Sequence, residues 1–191
     1  MEGLFKNKYK PNTLRLGDWD YSLEGFYFVT ICAKGRKNYF GQVKNGIIGL
    51  NVLGCVIWEE WHKTGKIRKN IRLDEFIVMP NHWHGVIEIC GTNVETHCHA
   101  SPSVFETHGN ASLQRGNKFG PQSNNLASII RGFKGACTNR IHRLGYGYFR
   151  WQPRFYEHIV RIDTESLEKI RYYIRYNPAY WDKDRNNPVN F

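Results

Sequence analysis

Two histidines flank one tryptophan in the run Met79-Pro80-Asn81-His82-Trp83-His84-Gly85-Val86-Ile87-Glu88-Ile89. Side chains alternate along a strand, so if this run is a strand both imidazoles leave one face and the indole leaves the other. Two nitrogen ligands on a rigid strand make half of a metal site; the same pair also serves elsewhere as ordinary polar positions. Far along the chain, Tyr173 and Asn177 are four residues apart in a helical pattern and share a face. One reading makes Tyr173 a packing residue and Asn177 a helix cap. In the other, the amide oxygen of Asn177 joins His82 and His84 as a third ligand, and the phenol one turn earlier lies close to a bound phosphate. A phenol titrates near about 10 and needs help to attack at neutral pH, which a divalent cation provides by polarising the phosphate. Attack on a phosphodiester by a side-chain oxygen keeps the bond energy in a phosphotyrosine, whereas hydrolysis would lose it.

The elements that must position these groups are legible in outline. Gly25 to Cys32 is rich in aromatic and β-branched residues and apolar on both faces, as a central strand is. Asn45-Gly46 between apolar residues signals a hairpin turn. Asn51 caps a helix with Leu53, Val56, Ile57, Glu60 and Trp61 at helical spacing, and Gly65 is expected to end it. Leu73 to Met79 and the histidine run form two strands joined at Pro80-Asn81. A third pattern, with apolar positions 126, 129, 130, 133, 137, 141 and 144, predicts an amphipathic helix ending at Gly145. The segment from Phe149 to Val160 reads as an edge strand or bulge because of Pro153. A last helix opens near Asp163 or Thr164, carries Leu167, Ile170 and Ile174 as its buried stripe, and stops before Pro178.

Composition bounds the partners. The chain has 191 residues, 41% hydrophobic and 15% aromatic, which suits one folded domain. A net charge of +10 favours a polyanion such as nucleic acid. Cations run from Lys63 to Arg72 without an acidic residue, and Arg131, Lys134, Arg140 and Arg143 decorate a helix that has none. Phe149-Arg150-Trp151-Gln152-Pro153-Arg154-Phe155-Tyr156-Glu157-His158 interleaves aromatics with cations, which lets bases stack while phosphates are neutralised; the same aromatics also suit a buried core strand. Arg131, Lys134, Arg140, Trp151, Arg154 and His158 are therefore the candidate DNA contacts. Five cysteines without a Cys-x-x-Cys pair signal neither a disulfide framework nor a zinc ribbon. No apolar run approaches a membrane span, and Met1 to Lys6 lacks a signal peptide's hydrophobic stretch, so the expectation is a soluble cytoplasmic protein.

Three regions fall outside the periodic patterns: a basic arm over residues 1–20, an insertion at 91–125 and a tail at 184–191, leaving one domain over 21–183. In the insertion, Glu95-Thr96-His97-Cys98-His99-Ala100-Ser101 nearly repeats eleven residues on as Glu106-Thr107-His108-Gly109-Asn110-Ala111-Ser112. The copy keeps one of three potential ligands, which argues against a zinc cluster of Cys90, His97, Cys98 and His99. The insertion reads as disordered.

The runs Phe76 to Gly85, Ser128 to Lys134, Trp151 to His158 and Tyr173-Ile174-Arg175-Tyr176-Asn177-Pro178 together resemble the REP-associated tyrosine transposases, relatives of the single-tyrosine transposases within the His-hydrophobic-His (HUH) endonucleases. The likeness extends from about residue 15 to residue 183, excepting the insertion. It implies an α+β fold with a ferredoxin-like antiparallel sheet that carries the histidines centrally. It also implies Mg²⁺ or Mn²⁺ on His82 and His84 with Asn177 in the third-ligand position, and Tyr173 as the nucleophile that forms a 5′-phosphotyrosine and leaves a 3′-hydroxyl. The implied substrate is single-stranded DNA, often a palindromic hairpin, handled by a monomer or homodimer in the bacterial cytoplasm near the nucleoid. Two other readings stand beside it: a non-catalytic hairpin-binding protein or repressor of the same fold, and a zinc hydrolase using His82, His84 and a carboxylate such as Glu88.

Overall fold

The computed structural model describes residues 19–90, 123–160 and 167–190. The expectations for the basic arm up to residue 18, for most of the insertion with its zinc question, and for the capping residues Asp163 and Thr164 lie outside them. Elements follow in the order β1 Gly25–Cys32, β2 Gly41–Lys44, β3 Ile47–Leu50, α1 Val52–Ile67, β4 Ile71–Val78, β5 His82–Ile89, α2 Leu126–Arg143, β6 Tyr156–Val160 and α3 Leu167–Tyr176. A 3₁₀ segment, Asn177–Lys183, continues α3.

Four strands form one antiparallel sheet in the order β4-β5-β1-β6. With the β2–β3 hairpin set aside, the chain runs strand, helix, strand, strand, helix, strand, and the first strand lies between the third and the fourth. That is the ferredoxin-like arrangement, with the histidine strand β5 central. The hairpin is a separate two-stranded excursion whose turn residues Asn45 and Gly46 take φ of 52° and 72°, the left-handed pair that a two-residue turn requires.

Alternation sorts each central strand into two faces. Tyr27, Val29 and Ile31 of β1 and Trp83, Ile87 and Ile89 of β5 pack against α1 and α2 in the main core. Phe28 and Val86 turn to the other face, where Val160 and Ile174 join them and Leu167 and Ile170 of α3 lie alongside. The sheet is thus layered between α1 and α2 on one side and α3 on the other. The helices form where their stripes predict: Asn51 caps α1 by accepting from Gly54 N, and Asn125 and Ser128 make a reciprocal capping box at the start of α2.

Two expectations change. Gly65 does not end α1, which runs on to Ile67; a Cβ there would stand 2.8 Å from the Leu73 side chain, so the glycine permits close helix-to-strand packing rather than a cap. Within the segment expected as a tail, Asp184, Asn186 and Asn187 are buried.

Beneath the histidines, Trp83 is fully buried, with its ring 4.3 Å from that of Trp61 and 5.5 Å from that of Phe133. Its indole lies across Gly85, where any Cβ would overlap it. Gly85→Ala is therefore expected to lose about 1–3 kcal/mol by overpacking. Gly135→Ala, in a helix position with nothing within 4 Å of an added Cβ, should gain about 0.5–1 kcal/mol. Urea denaturation of both variants checks the opposite signs.

Candidate metal and tyrosine site

His82 and His84 lie at the head of β5, both buried, with their Nε2 atoms 2.9 Å apart. Each ring is held from behind. Asn81 Nδ2 donates to the carbonyls of Arg36 and Asn186 at 2.9 and 2.8 Å, which leaves its Oδ1 to accept from His82 Nδ1 at 2.8 Å. His82 consequently carries its proton on Nδ1 and offers a bare lone pair at Nε2. His84 Nδ1 pairs with Thr30 Oγ1 at 2.8 Å, since Thr30 stands directly opposite His84 across β1 and β5. Aromatic rings steady the imidazoles: Phe28 stacks on His84 at 5.4 Å and Trp181 on His82 at 6.0 Å.

A third group enters from the end of the chain. One ligand atom each from His82, His84 and Asp184 falls within a 4.8 Å cluster, and Asp184 Oδ2 is 3.9 Å from His82 Nε2. The carboxylate is buried, and its Oδ1 accepts from Asn186 N at 2.5 Å. These donors fit a divalent cation: two neutral imidazole nitrogens and one carboxylate converge, and the nitrogen pair spans the edge of an octahedron with bonds of about 2.1 Å. Asn177, expected as the third ligand, is also buried, and its Oδ1 has no hydrogen-bond partner, so it remains a donor atom to be accounted for. Glu88 is not part of the cluster, since Arg72 holds it by two bonds of 2.8 and 2.9 Å.

Tyr173 projects from α3 with its hydroxyl 3.4 Å from His84 Nε2 and its ring edge-on to Phe28. Burial raises its phenol above the ordinary range and Asp184 adds to that, while the Arg185 guanidinium and a hydrogen bond from Asn177 pull it back. The helix is fixed by two ion pairs. Arg171 grips Asp74, and Arg175 Nε meets Glu75 Oε2 at 2.8 Å. Successive strand residues ordinarily face opposite ways, but the register of β4 shifts between Leu73 and Phe76, so both carboxylates meet arginines one helical turn apart.

The candidate DNA contacts are not gathered at this site. Arg131, Lys134 and Arg140 ride on α2, whose buried stripe packs on the opposite face of the sheet. Arg140 bridges to Glu59 and Glu60 of α1 at 2.6 and 2.7 Å, so its charge is already matched. Lys134 donates to the carbonyls of Gln152 and Arg154 at 2.8 and 3.0 Å, fixing that turn. Trp151 is a core residue rather than a stacking platform: it is 9% exposed and its Nε1 donates to Lys134 O. Arg131 and Arg154 are exposed, and His158 is half-buried opposite Phe28 on the α3 side of the sheet. Part of the Lys63 to Arg72 run is similarly engaged, with Lys63 on Glu60 and Arg68 on Ser128 O. Sequence reasoning missed Asp184, Asn81 and Thr30; the polar cluster Asp184-Arg185-Asn186-Asn187 was the available signal for the first.

The fold and site together define a ferredoxin-like α+β protein in which a histidine pair on the central sheet faces a tyrosine helix. No established family model matches the chain. It is 35% identical over 173 residues, 91% of each chain, to a protein of Haemophilus influenzae described as uncharacterized, and it belongs to the same family as that protein. Among solved structures it is similar to a REP-associated tyrosine transposase bound to a REP hairpin, with a TM-score of 0.49 and 19% identity over 85% of this chain and 72% of the other. A candidate transposase of Deinococcus radiodurans gives a TM-score of 0.39 and 15% identity over 87% and 96% of the two chains. Among the described residues no helix is long and apolar enough to cross a membrane.

The buried imidazoles make stability depend on pH. Burial holds His82 down to about 3, helped by Arg36 and Arg185, and burial with its neighbour His82 holds His84 well below the ordinary range. An unfolded histidine takes up its proton as pH falls through about 6.5. The folded rings do not, so between those limits the unfolded state binds more protons and folding weakens as pH drops. In chelator, each ring is expected to cost about 1.4 kcal/mol per pH unit below about pH 6. His82→Gln should flatten that slope in urea denaturation, and an unchanged slope would contradict the burial argument.

Proposed function

We propose that this protein is a metal-dependent endonuclease and strand transferase of single-stranded DNA, a tyrosine transposase in which Tyr173 is the nucleophile. The observation that carries this reading is the Tyr173 hydroxyl 3.4 Å from His84 Nε2, beside a cluster of two imidazoles and a carboxylate. His82, His84 and Asp184 would hold Mg²⁺ or Mn²⁺, with Asn177 Oδ1 as a further donor. Such an ion supplies a Lewis acid that polarises phosphoryl oxygens and offsets developing charge. The chain's own residues prepare the attack. Neutral imidazoles keep their lone pairs available, α3 fixes the phenol, and the Asn177 hydrogen bond favours the phenolate. The product is a 5′-phosphotyrosine and a free 3′-hydroxyl.

The four-motif resemblance to REP-associated tyrosine transposases supports DNA, and palindromic hairpins in particular, as the substrate class. Arg131, Arg154 and His158 stay as proposed contacts, the last two in and beside the edge strand β6. Because Tyr173 reaches the histidines of its own chain, one protomer holds the complete set and is proposed to act in cis.

Labelled single-stranded DNA from the flanks of the gene, incubated with Mg²⁺ or Mn²⁺ and run on a denaturing gel, should show a covalent adduct. Tyr173→Phe is expected to abolish it while DNA affinity changes less than about threefold; an adduct surviving in that variant would exclude Tyr173. A wild-type protein that binds hairpins and never forms adduct would favour the non-catalytic repressor instead. Mixing Tyr173→Phe with His82→Ala protomers should not restore activity if the tyrosine acts in cis.

The ligand set has its own test in Mn²⁺ affinity, measured without DNA. Asp184→Asn is expected to weaken binding at least about 10-fold. If Asn177→Ala has the larger effect, the ligand implied by the sequence outranks the one in the cluster.

A further inference from the structure

Arg185 directly follows the ligand Asp184, and its backbone carbonyl accepts from Arg36 Nη1 at 3.1 Å. Its guanidinium carbon lies 5.5 Å from the centre of the Tyr156 ring, over its face. Tyr156 stands opposite Thr30 across β6 and β1, and Thr30 stands opposite His84 across β1 and β5. Directly opposed residues share a face, so platform, hydroxyl and ligand form one row on the side of the sheet where Tyr173 projects. The guanidinium also acts on that group by its field, drawing the Tyr173 phenol down.

Three arginines near the sheet are matched by acids: Arg72 holds Glu88, Arg171 holds Asp74 and Glu168, and Arg175 holds Glu75. Among the described residues Arg185 has no such ion pair. Meanwhile the ligands present two neutral rings and one carboxylate, a set that by itself repels a phosphodiester. A fixed cation beside them, preorganised on an aromatic ring and shaped to grip two phosphate oxygens, is what an anionic substrate needs.

We propose that Arg185, laid on the Tyr156 ring, binds the phosphodiester that Tyr173 attacks. The inference rests on the function proposed above. In the reaction the phenol oxygen bonds to phosphorus while the bond from phosphorus to the 3′ oxygen breaks. The phenol gives up its proton, and the departing oxygen gains one to become the 3′-hydroxyl. Negative charge on the non-bridging oxygens grows from one towards two on the way, so the guanidinium contributes more at the transition state than in the bound substrate.

The test uses an oligonucleotide that the wild type cleaves, with and without a methylphosphonate at the mapped scissile linkage, which removes the charge there. In chelator, the wild type is expected to bind the charged DNA about 5-fold or more tighter than the neutral one, and Arg185→Ala should discriminate less than about twofold. With Mn²⁺ and saturating DNA, Arg185→Ala should slow adduct formation about 10²–10³-fold on the phosphodiester, with partial rescue by Arg185→Lys. On the methylphosphonate the gap between wild type and Arg185→Ala should close to within about threefold. An equal defect on both DNAs would make Arg185 merely structural, and full activity of the variant would overturn the proposal outright. Absence of any Tyr173-dependent adduct in the wild type would instead sink the underlying reading, and the Arg185 proposal with it.

Discussion

The alternation of β5 is the constraint on which the rest of the site depends. Trp83 is driven into the core between Trp61 and Phe133, and that burial forces His82 and His84 onto the other face. A slip of one residue would drive an indole into the buried polar cluster of Asn81 and Asp184 and push two imidazoles among apolar rings, which makes the register costly to change. It is pinned on both flanks, by Thr30 and Cys32 of β1 and by Ile77 and Val78 of β4. The placement of two ring nitrogens thus inherits its accuracy from the packing of the hydrophobic core, several ångströms below.

The tyrosine is placed by a different kind of force. α3 buries only a narrow stripe, with Ile174 its single fully buried residue, so hydrophobic contact alone would leave its axial position loose. The shifted register in β4 supplies two carboxylates side by side, and arginines one turn apart lock onto them. Burial pushes the Asp74 carboxyl up, but the Arg171 guanidinium outweighs it and holds the group below the ordinary carboxylate range. Charge therefore sets where along the sheet the phenol stands, and apolar packing sets how far above it.

What the sequence disclosed follows the range of each interaction. His82, Trp83 and His84 are neighbours, and Tyr173 and Asn177 are one turn apart, so their shared faces follow from local periodicity alone. The sheet order came through the pattern of elements and the family resemblance. Asp184 showed only as part of a polar run, and the roles of Asn81 and Thr30 stayed hidden because they need partners far along the chain: nothing near Thr30 says that it opposes a histidine 54 positions later. Gly65 misled because a glycine at a cap and a glycine at a close approach look alike in one dimension. Trp151 misled for a related reason, since aromatics interleaved with cations suit a DNA surface and a core-edge strand equally well.

The Asn81 side chain, which bonds at once to His82, to the Arg36 carbonyl and to the Asn186 carbonyl, has a consequence in time as well as in space. It joins residues from the first, middle and last parts of the chain into one knot. During synthesis the sheet lacks β6 until residue 160, and the knot lacks its last strand of contacts until residue 186 has left the ribosome. Every residue up to Asn186 must therefore be made before the contacts that hold His82 from behind are complete.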